Sequence, residues 1–308
     1  MNVTDLSFYS LIDEIAHLEV DELYRRIKES FAAVNPVTAR NMAVFFNKFG
    51  YWGKLEPEKG IYEEIELKAT ALRSHLSDYL WVYERLCDYR SKKTFYAVLS
   101  NWYRYDFACT AKAKEYLFDD YFDLDLVKCS RDEVVVDLGA YTGDTTLSYI
   151  RNYGEECYKR IYCYEITPSV FAVLKNTLAR YRDIEYRLKG VSDECGAMKL
   201  QLSCGGNSAN VLSLVGEETV ETTTLDADIS EPVSLIKADI EGYELKALRG
   251  AARHIVNDHP KLLISVYHSN DDIWEIPKTI HAFSSDYRFY LRFKGSCIYP
   301  TEITLFAL

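Results

Sequence analysis

No run in this 308-residue sequence approaches the roughly 20 apolar residues that a membrane-spanning helix requires. The opening residues MNVTDLSFYS lack both the basic stretch and the apolar core of an export signal. Both absences argue for a cytoplasmic protein with no membrane partner. Positive charge is also in short supply: 36 Lys and Arg stand against 47 Asp and Glu, a net charge of -11. Clustered cations that would grip a phosphate backbone are therefore not expected, and the partner implied is a neutral or cationic small molecule, not nucleic acid. The eight cysteines include no C-x-x-C pair, which speaks against zinc and leaves reduced, mostly buried thiols. No internal repeat, low-complexity tract or flexible linker is present. What is plentiful is tyrosine, 25 in all, placed mostly before residue 165 or near the end, as suits packed helical surfaces.

The length is about twice the roughly 150-residue prior for one domain, and the pattern divides accordingly. Residues 1–118 read as helical. Leu11, Ile15 and Leu18 share one face, as do Leu23, Ile27 and Phe31, and a long amphipathic run from Ile61 to Leu86 carries Leu72, Leu76, Tyr79, Leu80 and Tyr83 on one stripe. Pro36 and the segment Gly50–Gly53 punctuate the helices, and no strand is expected there. This region should shape an acceptor entrance or a dimer contact, because its apolar stripes need a partner.

Residues 119–308 alternate instead between short apolar runs and helices. Strands are expected at 134–138, 160–164, 185–190, 233–238, 262–267, 287–292 and 302–307, with helices after the first, second, fourth and fifth. That alternation predicts an α/β fold, a Rossmann-like, mostly parallel seven-stranded sheet. Between Gly190 and Glu231, MKLQLS, a Gly205-Gly206-Asn207 turn and TVETTTLD predict an added antiparallel ribbon.

The densest signal is VVVDLGAYTGDTTLSYI, residues 134–150. Val134, Val135 and Val136 suit a strand covered on both faces, and Asp137 ends it. Gly139 and Gly143 admit backbone conformations and close approaches that a Cβ would obstruct. Asp144, Thr145 and Thr146 can cap the following helix. A dinucleotide fingerprint places a second glycine where Tyr141 stands, so the turn is not built for pyrophosphate. Asp144 at the helix start would also repel a phosphate. An acidic, glycine-lined turn suits a cationic nucleoside cofactor such as S-adenosylmethionine. Glu165, after the run IYCY and 22 residues beyond Gly143, can accept both ribose hydroxyl protons. Alone, each feature is as well explained by an ordinary strand-helix turn or a solvated acid; their order within one β-α-β unit favours a cofactor site.

A second cluster lies in LIKADIEGYELKALRGA, residues 235–251. Ligands of open α/β sheets bind outside the carboxyl ends of the strands, so Asp239 and Glu241 should face the same crevice as the glycine turn. Glu244 lies in the first turn of a helix ended by Gly250, where a negative charge favours the dipole and a structural role. Lys237 shares the face of Asp239, as a buried ion pair or as a ligand.

At these residues the sequence resembles the FkbM family of S-adenosylmethionine-dependent methyltransferases, over residues 134–308. Its K-x-D-x-E-G-x-E hallmark appears as Lys237, Asp239, Glu241, Gly242 and Glu244, preceded by the tripeptide Thr224-Leu225-Asp226. The cofactor turn matches through Asp137, Gly139, Ala140, Gly143 and Asp144, and the second-strand acid maps onto Glu165, although the usual E-P becomes Glu165-Ile166. ITLFAL, residues 303–308, is similar to the family's last strand. The resemblance implies a class I methyltransferase sheet with one closing strand antiparallel, and O-methylation of a hydroxyl on a sugar, glycan or secondary metabolite. Tyr141, Thr145, Ile166 and Ser192 complete the expected cofactor set.

Methyl transfer needs an acceptor oxygen held in line with the methyl and a base for its proton. Asp239, Glu241 and His268 are the candidates, His268 because it follows the strand LLISVY. A strand-end histidine is more often structural. The same three residues have metal-ligand chemistry, but their spacing is not diagnostic, and metal-independent transfer is expected. Two other readings stay open: a nicotinamide oxidoreductase on the same strand-turn-helix, which Tyr141 and Asp144 disfavour, and a noncatalytic interaction module served by the tyrosine-rich helices.

Overall fold

The computed structural model describes residues 1–119, 121–201, 210–213 and 218–308. They divide into two compact units, one of residues 1–115, 266–278 and 288–305 and one of residues 116–265, 279–287 and 306–308.

The first unit is built on helices α1 (Val3–Ala16), α2 (Val20–Ala32), α3 (Pro36–Phe49), α4 (Glu63–Ser74), α5 (Leu76–Arg85), α6 (Tyr89–Arg104) and α7 (Phe107–Ala113). Local chemistry sets the starts: Asn2 and Asp5 form a capping box on α1, Asn35 caps α3 ahead of Pro36, and Asp88 and Asp106 cap α6 and α7. The expected stripes are buried except at Leu76 and Leu80, which are half-buried, and the Phe8 ring stacks on Tyr83 at 3.7 Å in the core.

Two features of this unit depart from the pattern. The run from Ile61 to Leu86 breaks at His75, whose ring bonds Asp78 at 3.1 Å and stacks on Trp274 at 4.3 Å. That break follows a tertiary contact that the helical period does not encode. The unit also contains a small hairpin, β1 (Leu55–Glu56) and β2 (Ile61–Tyr62), whose turn includes Gly60 at a φ of +74°.

The second unit carries the alternating elements: β3 (Val134–Leu138), α8 (Asp144–Tyr153), β4 (Arg160–Tyr164), α9 (Pro168–Leu178) and β5 (Ile184–Arg187), then β6 (Gly190–Val191), β7 (Gly196–Gln201), β8 (Val211–Ser213), β9 (Glu218–Thr223) and α10 (Leu225–Asp228). Further on in the second unit come β10 (Leu235–Ala238), α11 (Glu244–Arg249), α12 (Ala252–Asn257) and β11 (Lys261–Ser265); α13 (Asp272–Phe283) and β13 (Ile303–Ala307) each have residues in both units, and β12 (Phe289–Phe293) belongs to the first. Among the described residues seven strands form one sheet in the order β12-β13-β11-β10-β3-β4-β5. β11, β10, β3, β4 and β5 pair parallel, so the unbroken apolar β3 is buried on both faces. The reversal of strand order beside β3 opens the crevice where α/β sheets bind ligands.

The expected ribbon is a four-stranded sheet in the order β6-β9-β7-β8. β7 pairs antiparallel with β8 and β9, while β6, expected as the tail of the third strand, pairs parallel with β9. Leu200, Leu212 and Val220 form its apolar face, with Ile166, Met198 and Tyr243 packed against them. The expected Gly205-Gly206-Asn207 turn lies outside the described residues. No described helix is long and apolar enough to cross a membrane.

Candidate functional site

Two loops at the carboxyl ends of β3 and β10 meet main chain to main chain. Gly139 has a φ of +74°, and a Cβ there would stand 2.0 Å from the Asp239 carbonyl oxygen, so only glycine allows the approach. The N–H groups of Gly139 and Ala140 both donate to the Tyr164 carbonyl, at 3.1 and 2.9 Å, fixing the turn to β4. Tyr141 sits at a φ of +46°, and Gly143, at +89°, is the N-cap of α8.

A buried ion pair lies beneath the turn. Register places Lys237 of β10 opposite Asp137 of β3, with Nζ 3.0 Å from Oδ1. The ammonium also donates to the carbonyls of Leu138 at 3.1 Å and Gly139 at 2.9 Å, and Thr146 donates to Asp137 at 2.8 Å. Burial opposes the charge on Lys237, but the Asp137 and Asp239 carboxylates outweigh it and hold its pKa above the usual value. Lys237 therefore ties the two loops together from below.

The crevice holds a pocket lined by Gly139, Tyr141, Glu165, Ile166, Val191, Leu212, Asp239, Glu241 and Tyr243, among others. Glu165 is 6% exposed and accepts the Thr167 N–H at 2.7 Å. Burial pushes its carboxyl pKa up, against the pull of main-chain N–H groups of Thr167, Ile166 and Tyr141. Lys189 also lines the pocket, its ammonium paired with Glu221 at 2.9 Å and Asp228 at 3.3 Å. Sequence reasoning did not single out Lys189.

The other expected cofactor residues, Asp137, Ala140, Gly143, Asp144, Thr145 and Ser192, are not on the lining of this pocket. Asp137 and Thr145 border a separate narrow cavity with Phe122 and Tyr149, where Asp137 is committed to Lys237 and Thr146. Ala140 is fully buried in the turn, Gly143 begins α8, and Asp144 is its exposed first residue. Ser192 is buried, with its N–H on the Thr223 carbonyl at 2.9 Å and its carbonyl oxygen so close to Gly250 that a Cβ there would stand 2.0 Å away.

In the acidic cluster, roles separate by geometry. The Glu244 carboxylate is 1% exposed and accepts the N–H of Ile240 at 2.8 Å and of Gly242 at 3.0 Å, so it braces the loop from its own helix. That brace holds Glu241 and Gly242 at φ values of +57° and +95°. Asp239 and Glu241 are left on the pocket wall. Asp239 Oδ2 accepts the Tyr121 hydroxyl at 2.7 Å. Tyr121 was not legible as a site residue, since it lies 118 positions away in the segment before β3. His268 lies in the other unit, 3% exposed, with its ring 5.3 Å from Tyr51 and 4.2 Å from Tyr267.

The tripeptide Thr224-Leu225-Asp226 is architectural. Thr224 caps α10, Leu225 is fully buried, and Asp226 accepts the N–H groups of Arg253 at 2.8 Å and His254 at 3.3 Å at the start of α12.

A parallel sheet with a glycine turn after one strand, an acid after the next and an acidic loop across the crevice defines a Rossmann-like, class I methyltransferase fold. The sequence pattern of the methyltransferase FkbM domain matches residues 137–292. The chain belongs to the FkbM methyltransferase family, whose methyl donor is S-adenosylmethionine. Among solved structures it is similar to the FkbM methyltransferase of Methylobacillus flagellatus KT, at 23% identity over 88% of this chain and 70% of that one, with a TM-score of 0.69. Weaker likenesses are to fibrillarin from Aeropyrum pernix in complex with S-adenosyl-L-methionine (15% identity, 65% and 74% of the two chains, TM-score 0.38) and to an rRNA methylase from Streptococcus thermophilus (13%, 58% and 87%, TM-score 0.37). No curated protein matches the sequence.

Proposed function

We propose that this methyltransferase transfers the methyl group of S-adenosylmethionine to a hydroxyl of a sugar, glycan or other small metabolite. The observation that carries the reading is the convergence of Glu165, Asp239 and Glu241 on one pocket that is otherwise lined by Lys189, by tyrosines, by glycines and by apolar side chains. The pocket fits the cofactor's chemistry. The buried Glu165 carboxylate is offered to a ribose, Gly139 lines the pocket beside it, and Ile166, Val191, Leu212 and Tyr243 give an apolar wall for a base. The acidic rim favours a cationic ligand.

When bound, the donor supplies a methyl group on a positively charged sulfur, a leaving group that needs no activation. The chain's own residues must hold the acceptor and handle its proton. Asp239 is assigned that work: it stands at the end of β10 on the pocket wall, with one oxygen held by Tyr121. Glu241 shares the rim and can orient the acceptor or meet the donor's ammonium. Glu165 holds the ribose hydroxyls. No metal is assigned a step.

The test begins with radiolabelled methyl donor and a panel of nucleotide sugars, glycans and small alcohols; a labelled product gives reaction and substrate class together. On the best acceptor, Asp239→Asn should lower kcat about a hundredfold, the scale for losing an acid-base group, with donor affinity preserved. Turnover close to wild type in that variant removes Asp239 from the chemistry. A chelator should leave the wild-type rate unchanged; loss of activity restored by a divalent ion would replace the metal-independent reading.

A further inference from the structure

We infer that Tyr121 is a positioning residue of the transfer site, its hydroxyl holding the Asp239 carboxylate in the orientation from which it handles the acceptor's proton. This rests on the role assigned to Asp239 above.

The segment after Tyr121 is fastened down. Phe122, 2% exposed, meets the rings of Tyr149 and Tyr153 edge-on, with centroids 5.6 and 5.8 Å away, and Tyr153 donates its hydroxyl to the Val127 carbonyl at 2.9 Å. The Asp123 carbonyl accepts the N–H groups of Leu126 and Val127, closing a tight turn. The segment is thereby anchored on α8, the helix that the glycine turn starts.

From that anchor Tyr121 reaches the carboxyl ends of two neighbouring parallel strands. Its hydroxyl lies 2.7 Å from Asp239 Oδ2, just past β10, and 3.3 Å from Ser265 Oγ at the end of β11. The ring is 8% exposed, and the buried Lys237 ammonium stands 5.3 Å from its centroid. A phenol held by its backbone and by a cation over its ring has little freedom to follow the carboxylate, so the carboxylate must follow it. Accepting an O–H on one oxygen fixes the plane of a carboxylate while leaving acceptor capacity on the other. A packing role would require only the ring. The hydroxyl is the part that meets Asp239, and it is what separates the two explanations.

The experiment compares Tyr121→Phe, Asp239→Asn and the double variant, using labelled methyl donor with the acceptor that performs best in the panel, beside calorimetric titration with S-adenosylhomocysteine. Tyr121→Phe should lower kcat about tenfold, the scale of a hydrogen bond to a charged group. The KM for the methyl donor and the affinity for S-adenosylhomocysteine should stay within about twofold of wild type, as expected when only an interaction of the transfer step is lost. In the Asp239→Asn background the same change should cost nothing further, because the two residues act as a unit. Wild-type kcat in Tyr121→Phe beside an impaired Asp239→Asn overturns the positioning role alone. Equal losses in both backgrounds, or a fall in S-adenosylhomocysteine affinity that matches the fall in kcat, overturn it too. Wild-type turnover in Asp239→Asn removes the underlying assignment, and the positioning role with it.

Discussion

Glu165 and Gly139 present the pocket with opposite resources, a side chain and the lack of one. In the proposed site, Glu165→Ala removes two hydrogen bonds from a charged group to the ribose, each worth about 1.5–3 kcal/mol, so calorimetry should find S-adenosylmethionine bound at least tenfold more weakly by a folded protein. Unchanged affinity would end the clamp assignment. Gly139→Ala tests the backbone. The new Cβ would meet a main-chain oxygen at 2.0 Å from a residue already in left-handed conformation, so no side-chain rotation relieves the clash. Denaturant unfolding should show a loss of at least about 2 kcal/mol. Glycine at such a turn is readable in a sequence because the demand is local. Tyr121 was not readable, because nothing near residue 121 records that Asp239 will stand beside it.

At the scale of elements, the hallmark residues divide between site and scaffold. Glu244 braces the loop that carries Glu241, and Asp226 caps α12 from a distance in sequence, across β10 and α11. Asp226→Ala leaves the N–H groups of Arg253 and His254 without that acceptor, and should lower stability by about 0.5–2 kcal/mol, while Asp226→Asn, which keeps an oxygen, recovers much of it. Thermal unfolding of the pair of variants checks this; equal losses would point to charge instead of capping. A helix start in the first turn of Glu244 is visible in sequence, whereas the cap on α12 required β10 and α11 to fold back first. The small sheet shows the same division. Its alternating strands were legible, but the parallel pairing of β6 with β9 joins residues about thirty positions apart in a register that no local pattern sets.

Across the first unit, the two ends of its sequence depend on each other. Arg292 of β12 is 1% exposed and takes Asp88 at 2.6 Å and Ser91 at 3.0 Å, while Leu291 donates to the Ser91 hydroxyl at 2.8 Å and Cys87 to the Phe289 carbonyl at 2.9 Å. A fragment of residues 119–308 loses these partners, taking the Asp88 carboxylate from the Arg292 guanidinium and uncovering a strand edge, and should aggregate on size-exclusion chromatography. A monodisperse, active fragment would contradict that dependence. The ion pair also predicts acid sensitivity. Burial alone would raise the Asp88 pKa, but Arg292 and Ser91 outweigh it and hold the carboxyl below its usual 3.8. With the folded value depressed, its stabilisation is present above about pH 3.8 and is lost as pH falls through the folded value. Asp88→Asn should remove that part of the acid dependence, read as a flatter plot of unfolding midpoint against pH below about 4.

The sequence by itself determined the alternation that makes a parallel sheet, the buried β3, the glycine turn, and an acid after each of β4 and β10. Each of these is written in neighbouring residues through side-chain period and backbone freedom. Tertiary structure alone decided that Lys237 would tie two loops from below, that Asp137 would be spent on that tie, that the helix would break at His75 against Trp274, and that Tyr121 would hold Asp239. Those outcomes depend on burial and charge pairing between residues far apart in the chain, where proximity is set by how the sheet closes and not by any spacing a sequence displays.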